Sequence, residues 1–541
     1  MKQPGKRLNL EIQLHRSQPV GLVRSSFRHD GKVKHTTHGR ITGLSLAQLR
    51  LLQAAFQNEV IPKDDPQSLQ LLGSKEYGAS FALLALARQL GLERILYSRP
   101  QPWVRDCLAM IVGRIVCAGS KLALSNQWKN TALWELCGTS GPVDVEDHCY
   151  HPLDRLLARQ AAIQRALAKQ HLKNGHLVLY DITSSYLEGA YAESLIVLFG
   201  YNRDGKRHHE QITLGLLCDE RGCPVGVEVF AGNTQDAQTV SDKVKELRQQ
   251  YGLKRVTLVG DRGMITQTNA EELDQVKGLH TITALTHHQI VELLERKVIQ
   301  TGLFDEHKIV EVTDPAQPER RYCLCRNPET AERETGTRQR LLELTRKGLD
   351  KLAGRKRKGK EAKLGAQVGK LLARYKMGKF VDWKVVEGRL VYELKEAAIT
   401  QEALLDGCYV VRATVAKDVL NTEETVQAYK SLALVEQAFR TLKTVALEIR
   451  PIYHKKDDRI RAHVFLCVLA YYVEWHAQQR LQPLFAEDGQ GKRRQWTMEN
   501  VIERLAAIRR ERVKMAGVEF DRVTTPEADQ QRILELLEVT M

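Results

Sequence analysis

Three carboxylates stand where chemistry could be done: Asp181, Asp261 and Glu436. No His or Cys accompanies them, so the donor set is all oxygen, which suits the hard cations Mg2+ or Mn2+ over zinc. Two such ions, roughly 4 Å apart, activate an attacking oxygen and stabilise the leaving one in an in-line phosphoryl displacement. Adjacent carboxylates also raise one another's pKa values, so three together need cations to stay ionised. The expected catalytic and metal-holding residues are therefore Asp181, Asp261 and Glu436, and the expected cofactor is two Mg2+ or Mn2+ ions. Taken singly, none of the three is telling. A strand-end Asp is more often a turn residue or a helix cap, and a lone helical Glu is usually solvated. The weight lies in their joint occurrence, in order, on elements that can bring them together.

Those elements are read from periodicity. His176 to Tyr180 forms a short apolar strand ending in Asp181; Gln211 to Cys218 and Val225 to Phe230 are two more, joined by the turn Asp219-Glu220-Arg221-Gly222. Asp236 is placed to cap a helix with Val240, Val244, Leu247 and Tyr251 on one face. Strand Val256 to Val259 runs into Gly260-Asp261, a helix follows over Glu271 to Val276, and His280 to Leu285 is a fifth strand. Strand ends are where functional side chains converge in an open sheet, so Asp181 and Asp261 can meet across neighbouring strands. The order β, β, β, α, β, α, β is that of an RNase H-like domain, an α/β core with a mixed five-stranded sheet.

The glutamate comes from a helix beginning near Thr425. Leu432, Val435, Phe439 and Leu442 make its apolar stripe, and Tyr429, Glu436 and Lys443 recur every seven residues beside it, with Arg440 close by. A stripe bordering the buried face lies along the sheet surface, within reach of the two aspartates.

Charge identifies the partner class. The 541 residues hold 81 Lys and Arg against 66 Asp and Glu, a net charge of +15, which favours a polyanion over an acidic small substrate. Residues 1–43 hold nine basic residues against two acidic ones, and residues 346–379 hold thirteen against two, including Arg355-Lys356-Arg357-Lys358. The basicity is thus localised. A charge run is often only a solvated helix face; beside a carboxylate metal site, it suits a phosphodiester substrate.

Composition excludes other classes. With 43% hydrophobic and 27% charged residues, the chain is neither disordered nor collagen-like, and its length points to three or four domains. The longest apolar run, Val464 to Val473, falls far short of the roughly 20 residues that span a bilayer. Met1 to Leu10 is basic without a signal-like apolar segment, so no membrane association is expected and the expected compartment is the cytoplasm. The ten cysteines contain no CxxC pair, and Cys323 and Cys325 are read as reduced, buried strand thiols. His463, at the start of an apolar helix, reads as a core-satisfied histidine.

Four motifs then become recognisable together: Asp181-Ile182-Thr183-Ser184-Ser185-Tyr186, Gly200-Tyr201-Asn202-Arg203-Asp204-Gly205-Lys206, Gly232-Asn233-Thr234 before Asp236, and Gly260-Asp261-Arg262-Gly263-Met264. They resemble the core of bacterial insertion-sequence transposases of the DDE class, in the branch whose glutamate helix carries Tyr-x2-Arg-x3-Glu-x6-Lys. Tyr429, Glu436 and Lys443 stand at that spacing; position 432 is Leu instead of Arg, and Arg440 is the candidate substitute. The likeness covers residues 176 to 285 and 422 to 475. It implies nicking at transposon ends followed by attack of the freed 3′-hydroxyl on target DNA, and a homodimer in the complex that pairs the ends. It also implies an insertion domain between the second Asp and the Glu, 175 positions apart here, and a bacterial enzyme working at the nucleoid. Tyr429 and Lys443 would hold DNA backbone, a positioning role; Arg440, Arg203, Lys206 and Arg262 are further candidates for contact with double-stranded DNA, as are Arg355, Lys356, Arg357 and Lys358.

The expected organisation is a mostly helical DNA-binding region at 1–172 fronted by a basic hairpin, a first core part at 173–286, an α+β insertion at 287–424, a second core part at 425–487 and a helical segment at 488–541. Two rival readings stay open: a metal-dependent nuclease or resolvase that cuts without joining, and a DNA-binding protein whose carboxylates are merely structural.

Overall fold

The computed structural model describes all residues except 1–7, 16–17, 30–31, 58–68, 204, 207, 306, 356–359, 445–446, 448, 488–495 and 516–517. The chain divides into two compact units, one of residues 164–440 and one of residues 1–163 with 441–541.

The first of these holds the three carboxylates. Its centre is an eight-stranded sheet: β1 Leu177–Tyr186, β2 Gln211–Asp219, β3 Pro224–Ala231, β4 Val256–Val259, β5 Leu279–Ala284, β6 Val310–Asp314, β7 Gln317–Arg326 and β8 Cys408–Ala413. The spatial order is β6-β7-β8-β5-β4-β1-β2-β3. β1, β4 and β5 run parallel, while β2 lies antiparallel to both β1 and β3. β2 is buried along its whole length, as a central strand covered on both faces must be. Its Gly215 is there for space: a Cβ would stand 2.4 Å from the Tyr180 hydroxyl on the neighbouring strand.

The expected five-stranded sheet is thus three strands too small. Tyr322 to Cys325 and Cys408 to Thr414 fall within the α+β insertion expected at 287–424. Instead, β8 pairs antiparallel with β5 through Val411 and Ala284, β7 pairs with β8, and β6 closes the series. An uncovered β5 edge would leave a row of unpaired backbone groups, and these strands satisfy them.

Four helices sit between those late strands: α3 His287–Glu295 before β6, and α4 Pro328–Ala353, α5 Glu361–Tyr375 and α6 Glu396–Ala403 between β7 and β8. α4 and α5 pack with the hairpin Val381–Val386 and Arg389–Leu394 around Leu349, Leu364, Val368, Leu372, Val381 and Leu390, a small core of their own. Earlier in the chain lie α1 Asp236–Gln249 and α2 Gln267–Asp274. α1 begins at Asp236 with Gln235 as its N-cap, so Asp236 stands in the first turn and is not the cap. α7 Thr422–Lys430 and α8 Leu432–Lys443 follow β8. One continuous helix was expected through Tyr429 and Glu436; the chain breaks it at Ser431, whose hydroxyl bonds back to the Gln427 carbonyl.

The second unit opens with a three-stranded antiparallel meander, Leu8–His15, Gln18–His29 and Lys32–Ile41, where a two-stranded hairpin was expected. The turn pair Asp30-Gly31 lies outside the described residues. Helix Leu46–Phe56 follows, started by the capping box of Ser45 and Gln48. Strand Leu69–Glu76 then pairs with Arg509–Met515, which in turn pairs with Val518–Val523. The expected helical C-terminal segment therefore contains a β-hairpin: helix Met498–Ala506 stops short of Arg510, because Arg509-Arg510-Glu511-Arg512 offers no apolar face to continue it. Helix Asp457–Arg480 runs through the centre of this unit, buried almost throughout. His463 is buried there as expected, with Nε2 at 3.1 Å from the Ile449 carbonyl and Nδ1 at 3.2 Å from the buried Lys121 ammonium. Among the described residues no single helix is long and apolar enough to cross a membrane. All ten cysteines are free; Cys323 and Cys325 are buried on β7, and burial pushes the Cys323 thiol up to about 12, out of reach of thiolate chemistry.

Candidate active site

The site grows from the β1 and β4 pair. Their parallel ladder ends at Leu179 opposite Val259. β4 stops there, and Gly260 lies beside Tyr180, its Cβ position 3.8 Å from the Tyr180 carbonyl oxygen. Asp181 and Asp261 each stand two residues beyond the last pair, so parallel register places one next to the other where the sheet opens. β1 itself does not end at Asp181, as the sequence suggested. It continues to Tyr186 because Ile182 to Tyr186 pairs with β2, leaving Asp181 in mid-strand with its β4 side uncovered.

Glu436 is brought by α7 and α8. The β8-to-α7 connection is gripped by Arg321 on β7, which donates to the carbonyls of Val415 at 2.8 Å and Leu420 at 2.9 Å and pairs with Glu311 at 2.7 Å. Glu311 in turn accepts from the Thr422 hydroxyl at 2.7 Å, and Asn421 with Glu424 forms the capping box that starts α7. On α8, Leu432, Val435, Phe439 and Leu442 are buried as the apolar stripe requires, while Glu436 and Arg440 are exposed.

The other two acids act on Asp181. Burial pushes the Asp181 carboxyl up to about 7; the Ile182 amide opposes this, the negative charges of Asp261 and Glu436 add to it, and the Arg203 guanidinium pulls it back. Carboxylates drawn from positions 181, 261 and 436 thus share one electrostatic site. An all-oxygen donor set whose half-buried member resists ionisation fits a hard divalent cation, with Asp181, Asp261 and Glu436 as the residues to hold it.

Each neighbouring candidate has a place. The Tyr429 hydroxyl donates to Asp261 Oδ1 across 3.5 Å, and burial and the charge of Asp261 push its pKa up to about 12. Arg262 is exposed, and its positive charge acts on the Tyr429 hydroxyl. Arg203 forms an ion pair with Asp236, while its backbone amide donates to Ser184 Oγ at 3.0 Å, three residues along β1 from Asp181. Lys206 is exposed, its ammonium 5.7 Å from the Tyr186 ring centroid. Arg440 stands one helical turn after Glu436. Lys443, half-buried at the end of α8, falls in the other compact unit. Arg355 is exposed after α4 and donates to Gln367 Oε1 at 2.7 Å; Lys356, Arg357 and Lys358 lie outside the described residues.

Two contributors escaped sequence reasoning. Asp236 was read as a cap, yet its carboxylate faces Arg203 and lies 3.5 Å from the Cβ position of Gly263, beside the Asp261 loop. Ser184 was quoted only as part of a motif. A signal existed for Asp236, since an acidic residue after Gly-Asn-Thr-Gln need not be spent on capping, but no spacing could name its partner.

Comparison with known proteins identifies a family. The profile of the family described as "Transposase DDE domain" matches residues 178–473, more than half of the chain. No curated protein matches. Among solved structures, the chain is similar to a piggyBac transposase synaptic complex with hairpin DNA, at 8% identity over 79% of this chain and 76% of that one, with a TM-score of 0.36. A Drosophila P element transposase strand transfer complex matches at 13% identity over 78% of this chain and 97% of that one, with a TM-score of 0.20.

Proposed function

We propose that this chain, which belongs to the transposase DDE domain family, is a DNA transposase that cuts phosphodiesters at the ends of its own element and joins the freed 3′-hydroxyl to target DNA. The observation that carries the reading is the convergence of Asp181, Asp261 and Glu436, three acids from distant parts of the chain, of which the last two add to the cost of ionising the half-buried Asp181. The order β3-β2-β1-β4-β5, with β2 alone opposed, supports an RNase H-like core beneath them.

Asp181, Asp261 and Glu436 would hold two Mg2+ or Mn2+ ions. Bound there, such ions would sharpen the attacking oxygen and take up charge on the leaving one. The residues around them do the rest. Tyr429 orients Asp261 through its hydroxyl, and Arg203, fixed by Asp236 and Ser184, stations a positive charge near Asp181. Arg262, Arg440, Lys443 and Lys206 would neutralise and position backbone phosphates of double-stranded DNA, setting register without reading sequence. The basic faces of α4 and α5 would add phosphate contacts at a distance, the meander of residues 8–41 would bind element ends, and two protomers would pair them.

The test is Mg2+- or Mn2+-dependent cleavage of DNA flanking the chain's own coding sequence, by wild type and by Asp181→Ala, Asp261→Ala and Glu436→Ala. The reading expects the variants to bind this DNA like wild type and to leave it uncut. Variants that cut normally would place the active site elsewhere, and tight binding without any cutting by wild type would favour a DNA-binding role.

A further inference from the structure

Arg321 on β7 stands on the same face of the sheet as Asp181. Cross-strand partners share a face, and the register runs from Arg321 to Ala413, Ala413 to Ile282, Ile282 to Val259 and Val259 to Leu179, two residues before Asp181. Four strand spacings of about 4.8 Å, about 19 Å in all, separate β7 from β1. α7 reaches across that gap. It packs over β5, β7 and β8. Its first residue, Thr422, bonds through its hydroxyl to the Glu311 carboxylate on β6 at 2.7 Å. Seven residues on, about 10 Å along the axis, the Tyr429 hydroxyl meets Asp261 Oδ1 at 3.5 Å. One end of the helix is therefore held at the late strands and the other stands at the carboxylates, with α8 and Glu436 following.

The held end is fastened by directed bonds. Arg321 is 7% exposed, and one of its nitrogens donates to the Val415 carbonyl at 2.8 Å and to the Leu420 carbonyl at 2.9 Å, so a single group closes both ends of the loop that leads into α7. Its other two nitrogens meet the two oxygens of Glu311 at 3.2 and 2.7 Å. The exposed Lys417 stands at 3.6 Å from the same carboxylate, and Asn421 with Glu424 closes the capping box at the same turn. A buried ion pair costs about as much to dehydrate as its attraction returns, and apolar residues of similar volume serve stability as well or better. What apolar residues do not supply is a fixed direction for two carbonyls and a hydroxyl. The pair therefore adds geometry at the entry to α7 more than it adds stability.

We propose that Arg321, Glu311 and Thr422 form a latch that sets the position of α7 and thereby the metal affinity of the carboxylate site. Arg321 is a positioning residue: from a strand about 19 Å away it acts through Tyr429, whose hydroxyl orients Asp261, and through α8, which brings Glu436. The proposal rests on the reading of Asp181, Asp261 and Glu436 as metal ligands and adds to it the device that keeps them in register.

The test titrates Mn2+ into the full-length protein and follows the free ion by electron paramagnetic resonance, with Asp181→Ala marking which binding belongs to the site. Arg321→Met/Glu311→Leu removes both charges at once and melts within about 5 °C of wild type in EDTA. It nevertheless holds the Asp181-dependent Mn2+ about ten- to a hundredfold more weakly, the range that losing a supporting bond around a metal carries. Its cutting of the flanking DNA falls at low Mn2+ and recovers as Mn2+ is raised, while its DNA binding in EDTA is that of wild type. Thr422→Val, which deletes only the hydroxyl, weakens Mn2+ binding in the same direction. Arg338→Met/Asp406→Leu removes a similarly buried pair that ties α4 to the chain before β8, and keeps the wild-type affinity. Unchanged Mn2+ affinity in the folded Arg321→Met/Glu311→Leu protein overturns the latch; should that protein fail to fold, unchanged affinity in Thr422→Val overturns it. An equal loss in Arg338→Met/Asp406→Leu also overturns it, since any loosened buried pair would then suffice. If Asp181→Ala binds Mn2+ as wild type does, the metal-site reading falls and takes the latch with it.

Discussion

Replacing Asp181 with Asn should stabilise the metal-free protein while abolishing its chemistry. Raising a carboxyl from 3.8 to about 7 corresponds to about 4 kcal/mol of preference for the acid form, at about 1.4 kcal/mol per pH step. Asn mimics the protonated acid, so at a pH above 7 it removes the cost of holding a charge that is largely withdrawn from water and lies beside Asp261 and Glu436. The folded pKa lies above the unfolded one. The native state therefore binds the extra proton, and the wild type loses stability as pH rises from about 4 to about 7, with no further change above. Relief by Asn is nil at pH 4, about a third of its full size at pH 5, and complete at pH 8. Allowing for solvent near the half-buried carboxyl, about 2–4 kcal/mol remains, or about 5–10 °C in the melting of a unit of this size. The assay is thermal unfolding of both proteins in EDTA at pH 4, 5 and 8, then at pH 8 with Mn2+, following the transition that Mn2+ shifts in wild type. The ion should raise the wild type and leave the variant where it was. An Asp181→Asn protein that melts at or below wild type at pH 8 in EDTA would refute the cost of ionising Asp181 in its buried place beside Asp261 and Glu436.

Other outcomes follow from the same structure. Phe439→Ala, in the buried stripe of α8, should cost about 3–5 kcal/mol in denaturant unfolding, whereas Arg440→Ala next to it should stay within about 0.5 kcal/mol. Gly200→Ala forces a Cβ to within 1.9 Å of the Gly232 carbonyl oxygen, so the backbone must shift at a cost of about 1–3 kcal/mol, visible as a lower denaturation midpoint. DNA affinity should fall with salt by a log–log slope of about −0.9 per phosphate contacted. Changing the exposed Lys351, Lys363 and Lys370 of α4 and α5 to Ala should flatten that slope by roughly 3, measured by fluorescence anisotropy; an unchanged slope would remove these helices from the interface.

What was legible in the sequence was whatever local periodicity encodes. The strands around Asp181 and Asp261 and the buried face of Leu432, Val435, Phe439 and Leu442 follow from alternation or helical spacing, although β1 runs on past Asp181 to Tyr186 and the expected helix is broken at Ser431. What could not be read was decided by long-range pairing. Nothing local in Cys408 to Ala413 says that it will bond to Thr283 and Ala284, more than a hundred residues earlier, and so turn five strands into eight. Nothing local in Leu69 to Glu76 says that it will pair with Arg509 to Met515. The site divides in the same way. The acids announce themselves by type and order, whereas the Arg203 pair with Asp236 and the Tyr429 bond to Asp261 depend on how loops close over the sheet. Position 432 shows the reverse case: Leu stands there because in this chain the position is buried against the fold, 7% exposed, and a guanidinium would be costly in that place.

Transfer of phosphoryl groups between DNA strands at the proposed site is tested most directly by supplying the protein with pre-cut element ends bearing free 3′-hydroxyls, a supercoiled plasmid and Mg2+, and following covalent joining of end to plasmid. Joined products are expected with wild type and none with Glu436→Ala, although both hold the ends. Cleavage of intact ends without any joining of pre-cut ones would contradict it and leave a nuclease in its place.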